Sequence, residues 1–183
     1  IQTKSKGLVK GLRAVVMGGE SFNENIYTAT AGSGDVAFVP PGMGSIIPID
    51  LMGQGYIIQS GAYLASTPGI NIDTQWQGFK GLFAEGELVM LHASGHGTVW
   101  VSAFGALIEK DIPHGHTLAV DNGHLVAYPD NVHFEIRRVG GWKSTFFSGE
   151  GLVVDIYGPA RVYLQTRHLG QFASWIARVM PHR

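Results

Sequence analysis

The chain has 183 residues, 45% apolar and 15% charged, and its 13 Lys and Arg against 14 Asp and Glu leave a net charge of −1. That length allows one compact domain with a substantial core, and the near-neutral charge argues against nucleic acid as a partner, because phosphate neutralisation needs a basic surface. The absence of Cys excludes disulfides and thiol chemistry, and no apolar run reaches the roughly 18 residues of a membrane-spanning helix.

The 26 glycines sit between short apolar runs, as turns do in an all-β chain. Ile1-Gln-Thr-Lys4 reads as a strand that lacks the glycine-turn segment preceding its counterparts later in the chain, so further residues are expected upstream of Ile1. Between Leu8 and Val16 apolar residues recur at i, i+1, i+4, i+7 and i+8, the pattern of a short amphipathic helix. With Lys10 and Arg13 interleaved, Leu8, Leu12 and Val16 make a candidate contact surface for a partner subunit or an anionic membrane. Gly18-Gly-Glu-Ser21 lacks the strand-to-helix context of a nucleophile elbow.

A period governs the rest. Gly32-Ser-Gly34-Asp-Val36, Gly95-His-Gly97-Thr-Val99 and Gly158-Pro-Ala160-Arg-Val162 stand 63 residues apart in both steps, and Glu24, Glu87 and Glu150 fall on the same grid. Tyr56-Ile-Ile-Gln-Ser-Gly61-Ala-Tyr-Leu-Ala65 matches Thr117-Leu-Ala-Val-Asp-Asn-Gly123-His-Leu-Val-Ala127 with one residue of slack. Ile70-Asn-Ile72-Asp matches Val132-His-Phe134-Glu-Ile136, both with the alternation of a half-buried strand. Pro40-Pro41, Pro68-Gly69 and Pro129-Asp130-Asn131 supply turns. Fixed periods mark supersecondary modules that bury their faces on one another. The expectation is a single all-β domain of three pseudo-threefold units, 1–54 (incomplete at its start), 55–116 and 117–183, with Gly61 and Gly123 in equivalent tight places. Phe172, Trp175, Ile176 and Val179 stand at helical spacing and predict a short C-terminal helix packed on the sheet, Trp175 belonging to the core.

Chemistry is sparsely signalled. His114-Gly-His116 and His124 are metal-ligand candidates, but Pro113 and Gly115 make the first pair a turn. His92 and His96, four apart, would converge only on a helix, and their segment reads as a strand. Glu24, Glu87 and Glu150 would converge on a cation if the units share a threefold axis. No P-loop or dinucleotide fingerprint occurs, and no cofactor is indicated.

Several blocks carry a family resemblance: Lys6-Gly-Leu-Val-Lys-Gly-Leu12 with Gly18-Gly-Glu-Ser-Phe22, Gln59-Ser-Gly-Ala-Tyr-Leu-Ala65, Trp76-Gln-Gly78, Val120-Asp-Asn-Gly-His-Leu-Val-Ala127, Lys143-Ser-Thr-Phe-Phe-Ser-Gly-Glu-Gly151 and Val162-Tyr-Leu-Gln-Thr-Arg167. Together they resemble the "altered inheritance of mitochondria" family of largely uncharacterised proteins. The resemblance implies units folded like the tryptophan RNA-binding attenuator protein, each a short double-stranded β-helix or sandwich. It supplies no reaction and no catalytic residues. The reading is a non-enzymatic binding or assembly scaffold, cytoplasmic or peripheral to a membrane, acting through a protein partner, a membrane surface or its own copies. The alternative is a small-molecule or metal-binding β-barrel-like protein using the histidines from His114 to His124.

Overall fold

Short runs of Ile, Val, Leu and Tyr bounded by Gly and Pro favour strands over helices. The computed structural model describes residues 2–5, 23–30, 32–40, 42–73, 90–138 and 152–180. Among them lie thirteen strands and one α-helix: β1 (Gln2–Ser5), β2 (Asn23–Ile26), β3 (Ile46–Met52), β4 (Tyr56–Gln59), β5 (Tyr63–Ser66), β6 (Ile70–Asp73), β7 (Met90–Ser102), β8 (Leu107–Ile112), β9 (Thr117–Asp121), β10 (Leu125–Pro129), β11 (Phe134–Arg138), β12 (Leu152–Tyr157), β13 (Ala160–Gln165) and α1 (Leu169–Val179). The expected all-β architecture with a short C-terminal helix is present.

The main sheet has eight strands, ordered β3-β7-β4-β10-β13-β8 with β5 and β6 also on β7, and it curls into a half-barrel. A second sheet has the order β11-β12-β9, and β1 pairs β2. The outer strand β8 carries Glu109, Lys110 and Asp111. Arg161 on β13 reaches Asp111 at 2.7 Å and Glu109 at 3.5 Å, and such a charged edge resists pairing with foreign strands.

β7 serves both parts of the main sheet. Its first half pairs with β4 and β6, its second half with β3 and β5. The change falls at Gly95, whose φ of 117° disfavours side chains, and a Cβ there would lie 2.2 Å from the Gly69 carbonyl oxygen. That carbonyl accepts from His96 N at 3.1 Å. Glycine lets the two backbones meet and turns the long strand.

The core follows from β4 and β10, which bury successive residues on both faces. Ile58, Val126 and Ala127 join Leu51, Ile72, Leu91 and Val99 in one cluster. Ile57, Leu125 and Tyr128 join Val120, Val154, Ile156 and Val162 in the other. Continuous apolar runs suit a strand buried on both sides. At the periphery the alternation expected from sequence holds: Ile70 and Ile72 are buried and Asn71 is exposed.

Pairings around the two glycine turns correspond. Tyr63 opposes Val101 and Ala65 opposes Trp100, with a register shift between them; Leu125 opposes Leu164 and Ala127 opposes Tyr163, with the same shift. The expectation of three units fares differently, because residues 32–40 form no strand. The described residues therefore do not show a threefold repeat. Gly61 also departs from expectation: a Cβ there would meet nothing within 4 Å, whereas Gly123 is tightly covered, and neither has a positive φ.

Candidate functional site

β9 ends in Asp121, whose Oδ1 accepts from Gly123 N at 2.9 Å. This Asx-type bond starts a single 3₁₀ turn, Asn122–His124. A matching turn, Ser60–Ala62, follows β4 without a side-chain cap from Gln59. Gln165, at the end of β13, ties the region together. Its Nε2 donates to Gly123 O at 2.7 Å, its Oε1 accepts from Phe104 N at 2.9 Å, and its carbonyl accepts from His124 Nδ1 at 2.8 Å.

The chain leaves β13 through His168, whose ring lies on Gly123 and faces the His124 ring at 6.0 Å. His168 Nδ1 accepts from Gln171 N at 3.2 Å and so caps α1. Phe172, one turn later, meets Phe104 with centroids 5.3 Å apart. Beside this junction a cleft of about 160 Å³ opens between Gln59, Gly61, Ser102, Phe104, Leu169 and Pro40.

The helix predicted from the spacing of Phe172, Trp175, Ile176 and Val179 exists, but it does not pack as expected. None of its residues is buried, and Trp175 is 59% exposed. The expectation that Trp175 belongs to the core is corrected. The start of α1 is held to the sheet through His168 and Phe172, while Trp175, Val179 and Met180 further along stand exposed. At 100° per residue, Leu169, Phe172, Trp175, Ile176, Val179 and Met180 span an arc of about 140°, and Arg178 stands outside it. Val39 and Met43, also strongly exposed, belong to the segment whose Pro40 and Gly42 share the cleft with Leu169.

The other sequence-predicted residues, His124 aside, lie apart from this junction or outside the described residues. His114 and His116 lie exposed in the turn between β8 and β9, and His116 Nδ1 donates to the His114 carbonyl at 3.2 Å. His124 is committed to Gln165 instead. Among the described residues, His114, His116 and His124 included, no three His, Asp or Glu side chains gather to hold a metal ion. The backbone of Glu24 lies in β2 opposite Lys4. Glu87 and Glu150 lie outside the described residues, as do Leu8, Lys10, Leu12, Arg13 and Val16.

One polar pair had no local signal. His92 on β7 and Asp130 after β10 meet at 2.8 Å, both partly buried. They stand 38 positions apart in sequence, and the pairing of β4 with both β7 and β10 brings them together. Among the described residues no helix is long and apolar enough to cross a membrane.

The family model described as "Mitochondrial biogenesis AIM24" matches residues 1–167. The chain belongs to this family. An uncharacterized protein from Streptococcus pyogenes serotype M6 is 30% identical over 189 aligned positions, covering 99% of this chain and 76% of the relative. The X-ray crystal structure of another S. pyogenes protein superposes with a TM-score of 0.73 at 26% identity, over 98% of this chain and 82% of that one. These similarities establish the AIM24 family and the fold.

Proposed function

We propose that this AIM24-family chain is a binding and assembly module whose working face is the apolar side of α1 together with Val39 and Met43. One observation carries this reading: an amphipathic helix held at its first turn leaves Leu169, Trp175, Val179 and Met180 of its apolar arc exposed. Exposed apolar patches of this kind on monomeric domains mark sites of protein or membrane contact. The curled sheet beneath is a rigid base for such a helix, since its central strands are buried on both faces.

The organisation into one domain of three attenuator-like units, 1–54, 55–116 and 117–183, belongs to the same proposal. The shared pairings of β5 with β7 and of β10 with β13 support it for the second and third units. The basic segment from Leu8 to Val16 is proposed as a second contact surface on its sequence alone.

The test is the double variant Trp175→Ser, Val179→Ser. Both side chains are exposed, so the fold is expected to survive. Sedimentation velocity reads self-association, and vesicle co-sedimentation reads membrane contact. Loss of either in the variant is the expected outcome. A variant indistinguishable from the parent in both assays would remove the working face from α1.

A further inference from the structure

We propose that the cleft over Gly61 is a binding site for a small planar heteroaromatic ring of the imidazole class. This goes beyond the docking face, because it concerns a concave site between β4, the end of β7 and the start of α1.

The argument rests on the two glycine turns. Each follows a strand that pairs antiparallel with a long-range partner: Tyr56 opposes Ala93 before Gly61, and Leu118 opposes Ile156 before Gly123. After each turn the next strand pairs in the same shifted register. The local frames thus correspond, but their contents differ. Over Gly123 sits the ring of His168, so close that a Cβ would fall 1.7 Å from its Cδ2. Over Gly61 a Cβ would meet nothing within 4 Å, and Gly61 lines the cleft instead. One glycine turn holds an imidazole, and its counterpart holds an open space of about 160 Å³.

Among the described residues no ring lies over Gly61 as His168 lies over Gly123. His168 lies 63 residues beyond Gly105, the period of the glycine blocks, and Gly105 has no side chain and a φ of 84°. The polar groups also differ in a way that suits a ligand. Asp121 spends its carboxylate on Gly123 N, whereas Gln59 makes no such cap and lines the cleft. Ser102 Oγ donates to Ala62 O at 3.3 Å and keeps its own acceptor capacity. Phe104 and Leu169 offer apolar walls to the ring faces, and Gln59 and Ser102 offer donors and acceptors to its edge. The size is right for one ring: an apolar cavity of about 150 Å³ takes up benzene, whereas drug-sized ligands need about 300 Å³ or more.

Imidazole itself is the probe, titrated into the isotope-labelled full chain near pH 8, where it is neutral. Saturable amide shifts are expected at Gly61, Ala62, Ser102 and Phe104, and not around Gly123, which already holds a ring. Gly61→Val puts a side chain into the empty space and should weaken the response at least about tenfold. Gly61→Ala, with less bulk, should weaken it less and guards against a misfolded Val variant. A dilution series without imidazole separates the sources of the ring. Concentration-dependent shifts at the same amides would identify a side chain of a second copy, and their absence would leave a free small molecule. No saturable shift at these amides, or shifts that persist unchanged in both Gly61 variants, would overturn the site.

Discussion

Replacing Gly123 by Ala should detach α1 while barely changing the stability of the sheet. The new Cβ would lie 1.7 Å from His168 Cδ2 and 2.0 Å from its Nε2, so the imidazole must leave. Its departure removes the acceptor for Gln171 N and the contact with the His124 ring. Losing a helix N-cap costs about 1 kcal/mol, and losing a ring contact about 0.5–1 kcal/mol. The helix then keeps the Phe172 contact on Phe104, and eleven residues are too few to be helical alone in water. Against this, Gly→Ala at a permitted φ stabilises by about 0.4–1 kcal/mol through the unfolded chain. The net effect on global stability is therefore about 1 kcal/mol or less, a few degrees in melting temperature at most for a chain this long. Local opening of α1 should become easier by about 1.5–2 kcal/mol, which is roughly 10- to 30-fold in hydrogen-exchange protection. His168→Ala should produce the same loss in α1, and the double variant should be no worse than His168→Ala, since both act through one ring. Unchanged protection of α1 in Gly123→Ala, or additive losses in the double variant, would refute the coupling of Gly123, His168 and the helix.

Other positions give sharper effects on the sheet. Gly95→Ala should destabilise by roughly 2 kcal/mol or more in urea unfolding, because it adds backbone strain to a clash with the Gly69 carbonyl; a neutral result would mean that β7 can turn without glycine. Ile57→Ala, at a fully buried position, should cost about 2–5 kcal/mol by the same assay. In alkali, burial pushes the Tyr163 hydroxyl up to about 12 and raises Tyr128 further, from an ordinary value near 10. Both phenols are neutral in the fold, so their stabilising contribution is complete below pH 10 and disappears as pH rises through the folded value. Ultraviolet titration should show these two of the six tyrosines ionising only near or above pH 12, together with unfolding; six phenols titrating alike near their ordinary value would contradict the burial.

Local pattern determined much of this protein. Alternation at Ile70 and Ile72, the double-faced apolar runs of β4 and β10, and Gly and Pro between them specify an all-β chain, because strand periodicity and turn chemistry are properties of neighbouring residues. The spacing from Phe172 to Val179 determined that a helix would form and which side of it would be apolar. It could not determine what that side meets. That was decided by where β13 ends and by which groups wait there, Gly123, His124 and Phe104, all more than forty residues earlier in the chain. For the same reason His92 and Asp130 became a pair only through β4, which lies between their strands. Gly61 and Gly123 read alike in sequence, but only one acquired an imidazole cover, since the covering ring comes from a distant segment that has no side chain at the corresponding Gly105. Periodicity is written along the chain; contacts between remote segments follow from the path the chain takes.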